Sequence, residues 1–247
     1  MKKILLGALV ALLPLTSMAD TVLGFKVGAG SWEHDPGGNV AVSGSGGAGT
    51  SADLKEGLRL AEDSEGYAYF ALEHPVPLLP NIKLMRTGLT TTGTGTATVS
   101  YTFNGTPVTA NVTNVTTTLQ LDQTDYILYY ELLDNVVSFD LGLNAKYVDG
   151  KATVNNDTVS FSGYIPMVYA ALEIGLPANL TIGVEASMLE IDDSEISDIT
   201  AKISYTTDFM LGVEAGVRTQ TIKLAGFDGV NSNIEFDGIF AGLFFKF

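Results

Sequence analysis

Residues 136–148 read VVSFDLGLNAKYV, and this stretch decides the fold. Val137, Phe139, Leu141, Leu143, Ala145 and Tyr147 alternate with Ser138, Asp140, Gly142, Asn144 and Lys146. A period of two puts the first set on one face of a β-strand and the second set on the other. FMLGVEAGVRTQ (209–220) and NLTIGVEASM (179–188) repeat the pattern, each with one apolar face and one face carrying charge and glycine.

A soluble β-sandwich also alternates, but three features weigh against it. The segments run to ten or fifteen residues, where strands average about five or six. The loops between them read as alternately short and long. The polar faces place glycine beside charges of both signs, which suits a narrow polar interior. Lipid-facing apolar residues, a polar inside and no free edge together define a membrane β-barrel.

The expected fold class is therefore all-β, a transmembrane antiparallel up-and-down β-barrel of about 10 strands. The strands are read at 22–33, 65–74, 81–103, 107–133, 136–149, 158–176, 179–190, 197–206, 209–224 and 237–247. Short turns fall at 75–80, 134–135, 177–178 and 207–208, and longer loops at 34–64, 150–157, 191–196 and 225–236. An even strand number puts both termini at the end with the short turns, the periplasmic end of an outer-membrane barrel. Asn104-Gly105 is a two-residue hairpin signal. A twenty-residue strand flanking it would rise ~50 Å, beyond an apolar band of ~25 Å.

The N-terminus, MKKILLGALVALLPLTSMAD, has two lysines, an apolar stretch from Ile4 to Leu15 and the small-residue site Ser17-Met18-Ala19. Residues 1–19 are expected to be a secretory signal peptide, leaving 20–247 as the barrel. The chain has no cysteine and only His34 and His74 as histidines, so thiolate metal sites and histidine-rich chemistry are excluded. The net charge of -15, which becomes -17 once Lys2 and Lys3 leave, argues against nucleic acid as a partner.

The closing GLFFKF (242–247) alternates outward through Leu243, Phe245 and Phe247 and ends on an aromatic. Gly242, Phe245 and Phe247 resemble the carboxy-terminal signal by which bacterial outer-membrane barrels are recognised for assembly. DTVLGFKVGAGSWEHDPGG (20–38), the glycines near Gly46-Gly47 and ALEHPVPLLPN (71–81) resemble a family of small proteobacterial outer-membrane proteins with no assigned activity. That resemblance implies a barrel in the outer membrane of a Gram-negative bacterium, and it brings no catalytic residues with it. Outer-membrane lipids, lipopolysaccharide and the barrel-assembly machinery are the expected partners, and a monomer is the expected state.

Face assignment puts Lys26, Lys83, Lys146, Lys202, Arg218 and Lys246 inside, facing Glu73, Glu131, Asp140, Glu173, Glu185 and Glu214. A charge enclosed without a counterion costs several kcal/mol, so these twelve are expected to form a salt-bridge network that plugs the lumen. The alternative is a narrow channel for small ions or solutes. Glu73 closes the run YFALE before the prolines of the first turn, and Lys83 across that turn is its expected partner.

The negative excess then falls to the outer loops. Glu33, Asp35, Asp53, Glu56, Glu62, Asp63 and Glu65 flank the first. Glu190, Asp192, Asp193, Glu195 and Asp198 supply another, and Asp228, Glu235 and Asp237 the last. Such carboxylates can bind divalent cations, although the spacing matches no calcium loop and a solvated acidic surface is the expectation.

Enzymatic barrels need a base beside an acid or nucleophile. His34 could meet an acid from 190–198, whereas His74 precedes Pro75 and reads as a turn residue. Trp32 and Tyr164 fit an interfacial aromatic girdle. The glycine run at 44–49 does not lie between a strand and a helix, so nucleotide binding is unsupported. The expectation is a non-catalytic barrel with no cofactor, in a structural or surface-interaction role.

Overall fold

The computed structural model describes residues 23–43, 49–76, 78–103, 106–227 and 230–247. The expected signal peptide, Gly46-Gly47, the Asn104-Gly105 tip and Asp228 lie outside the described residues. The chain forms twelve antiparallel strands: β1 (Gly24–Ser43), β2 (Gly49–Asp53), β3 (Asp63–Glu73), β4 (Asn81–Thr87), β5 (Thr90–Phe103) and β6 (Thr106–Asp134), followed by β7 (Val137–Val154), β8 (Asp157–Leu176), β9 (Leu180–Ile191), β10 (Ser194–Thr206), β11 (Leu211–Phe227) and β12 (Val230–Lys246).

These strands close a barrel of two storeys. In the storey holding the termini, the ring of ten runs β1-β3-β4-β6-β7-β8-β9-β10-β11-β12 and seals where β12 pairs with β1. Farther from the termini β2 and β5 take the places of β3 and β4. Asn39–Ser43 pair with β2, Gly49–Ser51 pair with β5, and β5 pairs with the upper half of β6. The termini meet: Phe25 N donates to Phe247 O at 3.1 Å, and Phe247 N to Phe25 O at 2.9 Å.

The alternation read at 137–147 holds in space. Leu141, Leu143, Val168, Leu172, Val184, Ile203, Val213, Ile239 and Leu243 all point outward and form a continuous exposed apolar band. Tyr126, Tyr147 and Tyr164 cluster at the edge of this band away from the termini, Tyr164 lying 6.4 Å from Tyr126 and 4.9 Å from Tyr147. Tyr164 thus belongs to an aromatic girdle. Trp32 does not: it is fully buried inside the barrel. It shares the inward parity of Lys26, Gly28 and Gly30 on β1.

The strands run well past the apolar band. The 29 residues of β6 rise about 70 Å along the barrel axis. Three of the four expected long loops are tight turns instead, with Val154 paired to Asp157, Ile191 to Ser194 and Phe227 to Val230. The region 34–64 holds the top of β1 and all of β2. Above the membrane band the outward face meets water, so apolar alternation fades while the hydrogen-bonded ladder continues. For the same reason the single strand expected at 81–103 is β4 followed by β5, both laid along β6 with a step at Gly88-Leu89.

Large inward rings sit over glycines of neighbouring strands. A Cβ at Gly28 would lie 2.5 Å from the Tyr69 ring, and one at Gly242 would lie 2.3 Å from the Tyr67 hydroxyl. Glycine on the inner face is what lets the aromatic rings lie flat against the wall.

Candidate functional site

The inner face of the barrel carries nearly all the buried polar chemistry, and it is stacked in layers. At the end bearing the termini lies an open vestibule of about 430 Å³, lined by Lys26, Lys246, Glu73, Glu131, Asp140 and Tyr129 among others. Beyond it the lumen narrows to voids of about 40 and 30 Å³.

The first charged layer closes the vestibule from above. Lys202 pairs with Glu173 at 2.9 Å and with Glu185 at 2.6 Å, and Lys83 reaches across the lumen from β4 to Glu185 on β9. Glu214 accepts from the Tyr67 and Tyr69 hydroxyls at 3.0 and 3.1 Å. Lys26 lies 4.3 Å from the centre of the Phe244 ring and 5.7 Å from that of Tyr69.

A second layer sits above it, centred on Asp198. Arg218 grips this carboxylate with Nε at 2.9 Å and Nη2 at 2.7 Å, while Lys146 donates to it at 2.8 Å. Lys146 also bonds Asp125, and Asn144 donates to Asp125 at 2.6 Å. Gln123 and Gln220 bond each other, and Arg218 Nη1 donates to Thr87 at 3.0 Å. In a low-dielectric interior such charges are tolerable only when paired and hydrogen-bonded, and this layer meets that condition.

Above the charges the lumen turns apolar. The Arg218 guanidinium stacks on Trp32 at 4.8 Å, and Trp32 packs with Leu89, Leu121, Phe236 and Phe240. The segment 54–62 then folds into the barrel mouth and buries Leu54, Leu58 and Leu60 against Val115. It fits only because β5 presents Gly93 and Gly95 there: a Cβ at Gly95 would lie 1.9 Å from Gly57 O.

Of the twelve inward charges expected from sequence, six form ion pairs among the described residues, and two of these six pair with carboxylates outside the expected set. Lys83, Lys146, Glu173, Glu185, Lys202 and Arg218 form ion pairs inside. Glu131 and Asp140 stand at the vestibule as cross-strand neighbours, as do Lys26 and Lys246. Three assignments change. Glu73 accepts from the Tyr129 hydroxyl at 3.2 Å, and Lys83, its expected partner, pairs with Glu185 instead. Lys83 is one strand over from Glu73 and higher on the wall, so its ammonium meets the buried carboxylate across the lumen first. Asp198, assigned to an acidic outer loop, is the hub of the second layer. The layer also takes in Asn144 and Gln220, from the polar faces they share with Lys146 and Arg218, and Gln123 and Asp125, which have the parity of Glu131 on β6.

His34 is fully buried between Trp32 at 5.2 Å and the edge of Phe236 at 6.1 Å. Among the described residues neither of its ring nitrogens has a hydrogen-bond partner. Among the described residues no acid from 190–198 hydrogen-bonds it, and Asp198 is held by Lys146 and Arg218. His74 is a turn residue: its Nδ1 accepts from Val76 N at 3.3 Å, and its backbone N–H donates to Asn81 at 3.1 Å. Among the outer acids, Asp35 pairs with Lys55 and Asp53 caps the turn that follows it, bonding Glu56 N at 2.6 Å. Among the described residues no group of three or more histidine, aspartate or glutamate side chains is arranged to hold a metal ion.

Gly242, Phe245 and Phe247 sit at the seam that closes the ring. Phe245 and Phe247 pack on Phe25 at 5.8 and 5.5 Å.

No family model matches the chain, and no curated protein matches it. Among solved structures it is similar to the outer membrane protease OmpT from Escherichia coli, with a TM-score of 0.60 at 11% identity over 93% of this chain and 98% of that one. The translocator domain of the autotransporter NalP from Neisseria meningitidis matches at 9% identity over 89% of this chain and 87% of that one, with a TM-score of 0.28. The OmpT likeness shows the fold, a membrane β-barrel; the NalP likeness is too distant to carry an argument.

Proposed function

We propose that this chain is a monomeric outer-membrane barrel of a Gram-negative bacterium, its termini in the periplasm. Its lumen is closed to solutes, it has no catalytic activity, and it acts through its bulk and its surface. One observation carries the closure: side chains from diametrically opposed walls bond directly. Gln123 on β6 and Gln220 on β11 stand five strands apart in a ring of ten and hydrogen-bond at 2.8 Å. Ion-pair layers and the Trp32–Leu58 plug bracket that contact.

The surface role is supported by the upper storey. There the paired hydroxyls of Thr92 and Thr118, and of Thr94 and Thr116, each 3.0 Å apart, line the outer face of the β5–β6 hairpin. An outward orientation of that storey is tested with an epitope inserted at 155–156, the β7–β8 turn. Antibody should label intact cells; labelling only after the outer membrane is breached would reverse the topology. Deleting the 94–116 hairpin should then remove surface adhesion while the rest of the barrel keeps its heat-modifiable gel mobility.

A further inference from the structure

The vestibule has a charge arrangement that stability alone does not favour. Lys26 and Lys246 are direct cross-strand partners on β1 and β12, and Glu131 and Asp140 are direct cross-strand partners on β6 and β7. Like charges placed opposite each other in a ladder are destabilising. The chain makes this placement twice, and on facing walls: β12 and β7 are five strands apart in the ring. No ion pair within 4.0 Å joins Lys26, Lys246 or Asp140 to any described residue. The deeper lysines, Lys83 and Lys202, are by contrast satisfied by Glu185 and Glu173. Tyr129 and Tyr169, packed on each other at 6.0 Å, also line the cavity, whose volume of about 430 Å³ falls within the range of small-molecule sites.

We propose that the vestibule binds a small zwitterion of the amino-acid or short-peptide class. Its ammonium lies against Glu131 and Asp140, its carboxylate against Lys26 and Lys246, and its side chain against Tyr129 and Tyr169. Such a ligand spans the two walls and gives Lys26, Lys246 and Asp140 an ion-pair partner of opposite charge. Separated like-charge pairs are the kind of local cost that a sequence keeps at a functional site. The Lys202–Glu185 layer closes the site on its lumen side.

The test uses the folded barrel in a non-ionic detergent, with the dipeptide Ala-Tyr as probe beside its N-acetylated and C-amidated forms, by titration calorimetry. The free dipeptide should bind, and each blocked form should bind about tenfold more weakly or worse, the scale of one lost charge-assisted hydrogen bond. Asp140→Asn should abolish the preference for the free amine, and Lys246→Met the preference for the free carboxylate, with gel mobility confirming that each variant folds. Equal binding of all three probes, or no binding of the free dipeptide at millimolar concentration, overturns the proposal on the unaltered protein alone. So does discrimination that both variants leave unchanged.

Discussion

Gln123 and Gln220 form a reciprocal pair across the full width of the barrel. Gln123 Nε2 donates to Gln220 Oε1 at 2.8 Å, and Gln220 Nε2 donates to Gln123 Oε1 at 3.0 Å. Two amides from opposed walls can meet head-on only where the lumen is no wider than their combined reach. Gln220 Nε2 also donates to Asp198 at 2.9 Å and Gln123 Oε1 also accepts from Lys146 at 2.9 Å, so the pair acts as a crossbar tied into the charged layer. Replacing either glutamine by alanine strands its partner's polar groups, at a cost of about 1–3 kcal/mol. The double alanine variant should cost less than the sum of the two, as read by urea unfolding in micelles. Strict additivity would mean that the crossbar does not form.

Asp198 is the hub on which the second charge layer depends, so its removal should be the most damaging single change in the lumen. Asp198→Asn leaves Arg218 buried without its bidentate partner and Lys146 with Asp125 as its one carboxylate, beside the Gln123 carbonyl. Breaking a buried pair from one side costs about 3–5 kcal/mol. The combined Asp198→Leu, Arg218→Met variant should be more stable than Asp198→Asn, since it removes both charges instead of orphaning one. Thermal unfolding followed by gel mobility distinguishes the two orders.

What the sequence made readable follows from period two. The alternation at 137–147 gave the fold class and the outward band, and the parity of Lys202 or Arg218 gave the inward charges. It failed where parity was not carried to the end of a strand. Asp198 has the parity of Lys202, four residues on, yet the run EIDDSEISD looked like loop because its outward face is polar too. Trp32 likewise has the parity of Lys26, but an amphipathic aromatic suits a girdle as well as a core. Which lysine meets which glutamate was not readable at all. Those choices are made across the lumen, as between Lys83 and Glu185, and depend on ring order and stagger that no local pattern encodes.

Outside the membrane band, the Glu62 carboxyl lies against that of Glu33, whose hydrogen bond and charge raise its pKa above the ordinary glutamate value. A raised folded-state value means that the folded loop holds the proton more tightly than the unfolded chain does. The contribution is therefore complete below the ordinary glutamate range and is lost as pH rises through the raised value. Hydrogen exchange at 54–62 should accelerate as pH climbs through that window, beyond the intrinsic rate change. Glu62→Gln should flatten this excess; an unchanged profile would remove the pair as its source.

Phe247 stacks on Phe25 and exchanges two backbone hydrogen bonds with it at the seam. Phe247→Ala should cost about 1 kcal/mol of stability in refolded protein. It should lower the folded fraction in cells by much more, because the terminal aromatic resembles the signal read during assembly. Equal losses in both settings would reduce its role to packing.

The closure of the lumen is tested most directly by single-channel recording of the purified barrel in planar bilayers. The crossbar, the two charge layers and the Trp32–Leu58 plug predict a flat baseline at every voltage the bilayer withstands, in samples whose heat-modifiable mobility proves them folded. Discrete, reproducible conductance steps from such samples would contradict it.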